Sequence, residues 1–217
     1  IVAHEVTNKG SDRGQLTPMA RQADEAMDAE DLIVIADAGY FKRADILSCH
    51  EAGITANVPR SPNLGHRAKT SFGRKDFHYV PEKDECRCPA NERLIWRMAS
   101  EEAGLIVHRY WSANCQTCAL RSQCTPGKER RVTRWEHETI LEAMQERLDH
   151  DPEIMRVRRQ TVEHPYGTLK LWMGSAHFLT RTLKRVSTEM SLQVLAYNPK
   201  RVMNILGVKP LIQAIQA

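Results

Sequence analysis

The stretch DLIVIADAGY, residues 31–40, decides the fold class predicted for this chain. It contains consecutive apolar residues between polar neighbours, which is the pattern of a short strand buried on both faces. The strand is expected to stop at Asp37, and Gly39 allows the sharp turn that follows. Functional groups gather at the carboxyl ends of strands in such sheets, so Asp37 is a candidate site residue. Its alternative role is an Asx turn or a helix N-cap.

Helices and strands alternate on both sides of this stretch. Residues 1–6 are predicted to form a strand, and a helix is predicted from Leu16 to about Met27. The stretch is followed by a helix over about Lys42–Ala52 and by a short strand over Ile54–Val58. This order favours an α/β layer in which helices pack on a sheet.

A second informative stretch is RVRRQTVEHPYGTLK, residues 156–170, in which one acidic residue stands among basic ones. Steps of three and seven residues return to nearly the same helix face, so Arg156, Arg159 and Glu163 share one side. That side can carry a carboxylate for a metal and guanidinium groups for phosphates. Pro165 is expected to kink or interrupt the helix. The alternative is a solvated helix in which Glu163 pairs with Arg159. The apolar stripe that would hold the helix down is Met155, Val162, Tyr166, Leu169 and Met173.

The regions around this helix differ in character. Residues 60 to about 131 have no long helical pattern and are rich in Gly, Pro, Cys and aromatic residues, which indicates an insertion. Trp135–Leu148 is predicted to be an amphipathic helix, and Asp151-Pro152 marks a break before the next one. One or two further helices are predicted between Thr182 and Val208.

Composition limits the class of protein. With 41% apolar and 27% charged residues among 217, the chain can form a core and is not of the disordered class. No apolar run approaches the roughly 20 residues of a membrane span, so no membrane partner is expected. The net charge of +4 is modest, but clusters such as Lys128–Arg134 and Arg156–Arg159 fit a polyanion partner. Ordinary solvated helix faces are the alternative.

The cysteine spacing suggests a metal site. Thiols or a metal are favoured over a disulfide framework, because no secretory signal is recognisable. Cys115-x2-Cys118 can chelate through one turn, and Cys88 and Cys124 would complete four thiolates for a structural zinc ion with no open catalytic position. Cys86 could replace Cys88, and unligated thiols or disulfides stay open as alternatives. The six cysteines are residues 49, 86, 88, 115, 118 and 124.

Several motifs together resemble those of bacterial DDE transposases. Residues 36–40, ADAGY, resemble the second-aspartate motif. Arg159-x3-Glu163-x6-Lys170 resembles the signature Tyr-x2-Arg-x3-Glu-x6-Lys around the catalytic glutamate of the insertion sequence 4-like superfamily, nearest its insertion sequence 1182 group. The Cys-rich segment is also similar to this group, and Arg156 stands at the position of the signature tyrosine.

The resemblance implies a fold. It would be α/β and ribonuclease H-like: a mixed sheet flanked by helices, with a Cys-rich insertion for which zinc binding is one of the alternatives. Residues 1–59 would form the N-terminal part of the catalytic core, 60–131 the insertion, and 132–217 the C-terminal helical part. The first aspartate of the family would lie upstream of Ile1, so the chain would be the C-terminal part of a catalytic domain and inactive alone.

The resemblance also implies a function. Asp37 and Glu163 would bind Mg²⁺ or Mn²⁺ in a two-metal site, and Arg156, Arg159 and Lys170 would bind DNA phosphates. The reaction would be cleavage and strand transfer on double-stranded DNA, at transposon ends and target. The complete protein would be a homodimer in the bacterial cytoplasm, associated with the nucleoid. The alternative is a non-catalytic DNA-binding remnant with a structural zinc insertion.

Overall fold

The structure is a computed structural model that describes residues 1–60 and 72–216. The beginning of the predicted insertion, residues 61–71, lies outside the described residues. Within them, one compact unit comprises residues 1–60 with 143–216, and the other comprises residues 72–142.

The first unit contains the predicted strand–helix–strand order. Strands β1 (Ile33–Ile35) and β2 (Thr55–Asn57) pair in parallel. Helix α2 (Arg43–Glu51) forms the crossover that parallel strands require, and α1 (Leu16–Met27) packs against α2. These four predictions are confirmed to within a few residues at each end. The buried apolar side chains of this part are Leu16, Ala20, Ile46, Cys49, Ile54, Ala56 and Val58.

The strand predicted over residues 1–6 is wrong, because residues 1–9 have no regular structure. This segment contacts helix α6 (Leu183–Leu206) instead. The ammonium group of Ile1 donates to Asn198 Oδ1 at 2.7 Å, and Asn198 Nδ2 donates to the Ile1 carbonyl at 2.8 Å. His4 Nε2 lies 3.0 Å from Ser191 Oγ. A helix offers side chains to its neighbours and not the backbone ladder that a strand needs.

Helix α4 (Glu138–His150) anchors β2 through Arg147. Arg147 Nε donates to Asn57 Oδ1 and Arg147 Nη2 donates to the Ala56 carbonyl, both at 3.1 Å. In a parallel pair, alternate residues face the partner strand, so the Ala56 carbonyl lies on the edge of β2 away from β1. Within the part of the chain that the structure describes, no strand pairs with this edge, and Arg147 supplies donors there.

The second unit is a five-stranded antiparallel sheet whose neighbours are consecutive in sequence. Its strands are β3 (His78–Val80), β4 (Glu85–Arg87), β5 (Arg93–Glu102), β6 (Leu105–Trp111) and β7 (Val132–Trp135). Trp135 thus ends β7, and the helix predicted to start there begins three residues later at Glu138. A short helix, α3 (Arg121–Cys124), lies between β6 and β7. The core cluster is Cys86, Leu94 and Tyr110, with Phe77, Tyr79, Cys88 and Val132 packed against it.

The break predicted at Asp151-Pro152 is confirmed, because α5 (Glu153–Gly167) begins directly after it. A kink or an interruption was predicted at Pro165. The interruption is not observed, because the helix continues to Gly167 and then widens into a π-helical turn, Thr168–Trp172. Pro165 removes one backbone donor. At the end of the helix, Thr168 N–H donates to the carbonyls of both His164 and Pro165.

The remaining helices complete the first unit. The region between Thr182 and Val208 forms one helix, α6, which continues through Pro199, and α7 (Val208–Gln216) follows. Helix α5 lies against β1. No helix in the described ranges is long and apolar enough to cross a membrane.

Candidate active site at the end of strand β1

Asp37 stands at the carboxyl end of β1, as the sequence predicts. Strand pairing continues to Ala36, whose N–H donates to the Asn57 carbonyl at 3.1 Å, and Asp37 comes next. Asp37 Oδ1 accepts from the Gly39 N–H at 2.9 Å and begins a 3₁₀ turn over Ala38–Tyr40. Asp37 therefore acts as the N-cap of this turn. The side chain is 45% exposed, so it is also accessible to a ligand.

Gly39 permits the position of this carboxylate. A Cβ at residue 39 would lie 2.9 Å from Asp37 Oδ1 and 3.8 Å from Asp12 Oδ2. Any other residue would therefore displace the Asp37 side chain. The same geometry shows that the Asp12 carboxylate lies close to that of Asp37. Asp12 precedes α1 in an irregular segment, and no spacing in the sequence signals its approach.

Tyr40 lies among these charges. Burial raises the pKa of the Tyr40 hydroxyl, and the nearby Asp12 and Asp37 carboxylates raise it further. The positive charge of Arg158 lowers the pKa of Tyr40 and so partly offsets these effects. Tyr40 is therefore a neutral hydrogen-bonding group at physiological pH and not a base.

Arg158 is the residue of α5 that reaches Asp37. Its Nη2 donates to Asp37 Oδ2 at 2.7 Å, and its side chain is 20% exposed. Arg158 is not among the site residues predicted from the sequence, although its position in the helical pattern sets it apart. It follows Met155 by three residues and precedes Val162 by four, so it lies within the apolar stripe that faces the protein. A charged residue in such a stripe needs a partner inside the fold.

The structure places the predicted residues of α5 on its solvent side. Arg156, Arg159 and Glu163 are all exposed. Arg156 pairs with Glu153 one turn earlier. The side chains of Arg159 and Glu163 make no hydrogen bond or ion pair within the described residues, so the salt-bridged alternative for this pair is not observed.

Helical spacing did not predict where Glu163 and Lys170 lie relative to Asp37. Glu163 comes five residues after Arg158, which places it on about the opposite side of α5. Lys170 is exposed and belongs to the π-helical turn, where the ordinary helical spacing does not apply. The structure thus brings Asp12 and Arg158 to Asp37, and it leaves Glu163 beside Arg159 in solvent.

The carboxylates have the chemistry that divalent cations prefer. A carboxylate offers about four lone-pair sites, and the two hydrogen bonds of Asp37 leave sites on both oxygens. Glu163 is uncommitted, and hard oxygen donors suit Mg²⁺ or Mn²⁺. Within the described residues, however, no group of three or more His, Cys, Asp or Glu side chains is arranged to hold a metal ion.

A separate cluster in the second unit consists of cysteines. Cys88, Cys115, Cys118 and Cys124 line one pocket of about 30 Å³. Cys86 does not line it but is buried in the core cluster, where burial raises the pKa of its thiol to about 11. All of the cysteines are free thiols.

Comparison with known families identifies the class of protein. Residues 87–203, more than half of the chain, match the family described as the transposase DDE domain. The chain belongs to this family, whose members are DNA-cutting enzymes of transposition. The match includes α5 with Glu163 and the four pocket cysteines, whereas Asp37 lies before its first residue. Comparisons with curated proteins and with solved structures gave no match.

Proposed function

We propose that this chain supplies Asp37 and Glu163 as metal-binding carboxylates of a transposase that cuts and joins double-stranded DNA. The proposal includes a ribonuclease H-like core and a place in the insertion sequence 4-like superfamily, nearest the insertion sequence 1182 group. One observation carries it: Asp37 stands at the carboxyl end of β1 with an accessible carboxylate, and α5, which has Glu163 on its exposed side, lies against that strand.

Asp37 would be the oriented carboxylate of this site. The Gly39 N–H fixes one oxygen and Arg158 fixes the other, so the carboxylate is held in one orientation before any ligand arrives. Bound Mg²⁺ or Mn²⁺ would activate the attacking hydroxyl and stabilise the leaving oxygen of the phosphodiester. Arg158 would limit the rotation of the Asp37 side chain.

Glu163 and the basic residues would act from the exposed side of α5 and the turn beyond it. Arg159 and Lys170 have no partner within the described residues, so both are available to phosphates. Arg156 shares its charge with Glu153, but an exposed pair at this spacing contributes only about 0.2–0.5 kcal/mol. A DNA phosphate can therefore displace Glu153 from Arg156 at little cost.

Metal-directed cleavage of the polypeptide tests the carboxylate assignment. Fe²⁺ takes the place of Mg²⁺, and ascorbate with hydrogen peroxide generates radicals that cut the backbone beside the ligands. We expect cuts next to Asp37 and Glu163, each competed by Mn²⁺. Asp37→Asn and Glu163→Gln should each weaken both cuts, whereas Glu146→Gln on α4 should leave them unchanged. Cuts confined to other segments would show that these carboxylates do not bind the ion.

A DNA assay tests the activity. The complete transposase that contains this chain is incubated with double-stranded transposon-end DNA and Mg²⁺, and strand cleavage is followed on denaturing gels. Cleavage should be lost in the double variant Asp37→Ala with Glu163→Ala. Cleavage that survives it would refute the assignment. Binding that falls steeply with salt, without any cleavage, would instead support the non-catalytic DNA-binding alternative.

A further inference from the structure

We propose that Cys88, Cys115, Cys118 and Cys124 bind one structural zinc ion within the second unit. This site is separate from the carboxylates of the proposed active site and does not depend on their role. Four sulfur ligands saturate a tetrahedral ion, so the metal would stabilise the fold and would not take part in DNA cleavage.

The fold brings together cysteines from two distant segments. Cys88 directly follows β4, whereas the other three lie between β6 and β7. All four line the same pocket, and its volume of about 30 Å³ is close to the share of one water molecule in the liquid. Such a space suits a single ion and is too small for an organic ligand.

The backbone forms turns at Cys88 in one segment and at Cys115 and Cys118 in the other. Cys118 N–H donates to the Cys115 carbonyl at 3.4 Å, and Arg121 N–H donates to the Cys118 carbonyl at 3.1 Å. On the other segment, Asn91 N–H donates to the Cys88 carbonyl at 2.8 Å. The four thiols line one space, but within the described residues they are not arranged as metal ligands, so zinc binding requires the four side chains to close on the ion.

A side-chain hydrogen bond also joins the two segments. Asn114 Nδ2 donates to Glu92 Oε2 at 3.1 Å, which connects the loop after β4 to the segment after β6. The cysteines therefore lie on backbone that is already connected close to the pocket.

A buried donor beside the thiols points to an anionic partner. Arg130 lines the pocket, and its buried Nε has no hydrogen-bond partner among residues 1–60 and 72–216. An unpaired buried donor is costly, and neutral thiols are weak acceptors. Zinc binding releases a proton from each thiol and leaves thiolates, which accept hydrogen bonds from neighbouring donors. With four thiolates on Zn²⁺ the site has a net charge of −2, which Arg130 and Arg121 offset from the pocket wall.

The location of the site gives the metal a structural role. Among the described residues, the core cluster next to the cysteines is Cys86, Leu94 and Tyr110, and Cys88 packs directly against it. Small units with few buried apolar side chains commonly need a metal to fold stably. Zinc would join the loop after β4 to the segment after β6 and so hold both ends of this core.

Zinc analysis of the purified full chain tests the proposal. Protein prepared in zinc-containing medium without chelators should hold one zinc per chain by mass spectrometry of the metal. Cys115→Ser and Cys118→Ser should each lose it. Cys86→Ala and Cys49→Ala, which remove sulfurs outside the pocket, should retain it.

A second measurement does not depend on the folding of variants. Co²⁺ exchanged into the unaltered chain should give intense tetrahedral d–d bands and the charge-transfer absorption of four thiolates. Zinc removal should also lower the thermal midpoint of the chain. Metal-free protein, with the four pocket cysteines either as reactive thiols or as disulfides, would overturn the proposal. Loss of zinc in Cys86→Ala but not in Cys88→Ser would overturn the ligand set.

Discussion

Arg147→Ala should destabilise the first unit, because Arg147 supplies both donors at the open edge of β2. The substitution removes hydrogen bonds to Asn57 Oδ1 and to the Ala56 carbonyl. Asn57 is 2% exposed and Ala56 is 4% exposed, so both acceptors lose a partner in a buried place. An unsatisfied buried acceptor costs about 1–3 kcal/mol.

The exposure of Arg147 itself moderates this cost. Residue 147 lies on the solvent side of α4, so water can partly replace the missing guanidinium. The lower end of the range then applies to each acceptor, and the free energy of unfolding should fall by about 2 kcal/mol in total. For a chain of this size, that loss lowers the thermal midpoint by about 4–8 °C.

Urea unfolding followed by far-UV circular dichroism measures the change, and hydrogen exchange locates it. Exchange should increase in β2. Arg147→Lys keeps the charge but cannot span both acceptors, so it should give an intermediate loss. Glu146→Ala, at the neighbouring exposed position of α4, is the matched control. If Arg147→Ala unfolds within about 0.5 kcal/mol of that control, the edge-capping explanation is wrong.

The remaining predictions concern two glutamates. Glu138 is fully buried, pairs with Arg74 Nη2 at 2.7 Å and accepts from the Trp135 N–H, so Glu138→Ala should lower the free energy of unfolding by about 3–5 kcal/mol in urea titrations. Glu138→Gln, which keeps the shape and one acceptor, should lose less. Hydrogen bonds from the backbone N–H groups of Leu179 and Thr180 and from the Thr180 hydroxyl lower the pKa of Glu189. The stability from Glu189 is therefore present above the ordinary glutamate pKa and is lost as the pH falls through the lowered value. Thermal midpoints measured across this acidic range should fall less in Glu189→Gln than in the unaltered chain, and equal slopes would contradict the linkage.

Features that are encoded by adjacent residues could be predicted from the sequence. The stretch at residues 31–40 predicted β1 and the position of Asp37 at its end, because a run of buried strand formers and the turn after it are encoded by adjacent residues. The break at Asp151-Pro152 was local in the same way. Residues 1–6 have a strand-like composition, but no strand among the described residues pairs with them to form a ladder.

The candidate site shows what spacing along one helix cannot supply. Periodicity correctly grouped Arg156, Arg159 and Glu163 on one face of α5, but it could not tell whether that face lies toward the sheet or toward solvent. The packing of α5 against β1 decided this and brought Arg158 to Asp37, a residue 121 positions away. The sequence pattern shows that Arg158 interrupts an apolar stripe, but it does not identify Asp37 as the partner of Arg158.

The sequence by itself determined the α/β character, the strand that ends at Asp37, the helices around it, and a cysteine spacing suited to metal. Only the tertiary structure decided that Asp12 approaches Asp37 and that Cys88 shares a pocket with three cysteines from beyond β6. The physical reason is the range of the interactions. Strand, turn and helix preferences act between residues a few positions apart, whereas a site is formed by side chains that meet only after the chain has packed.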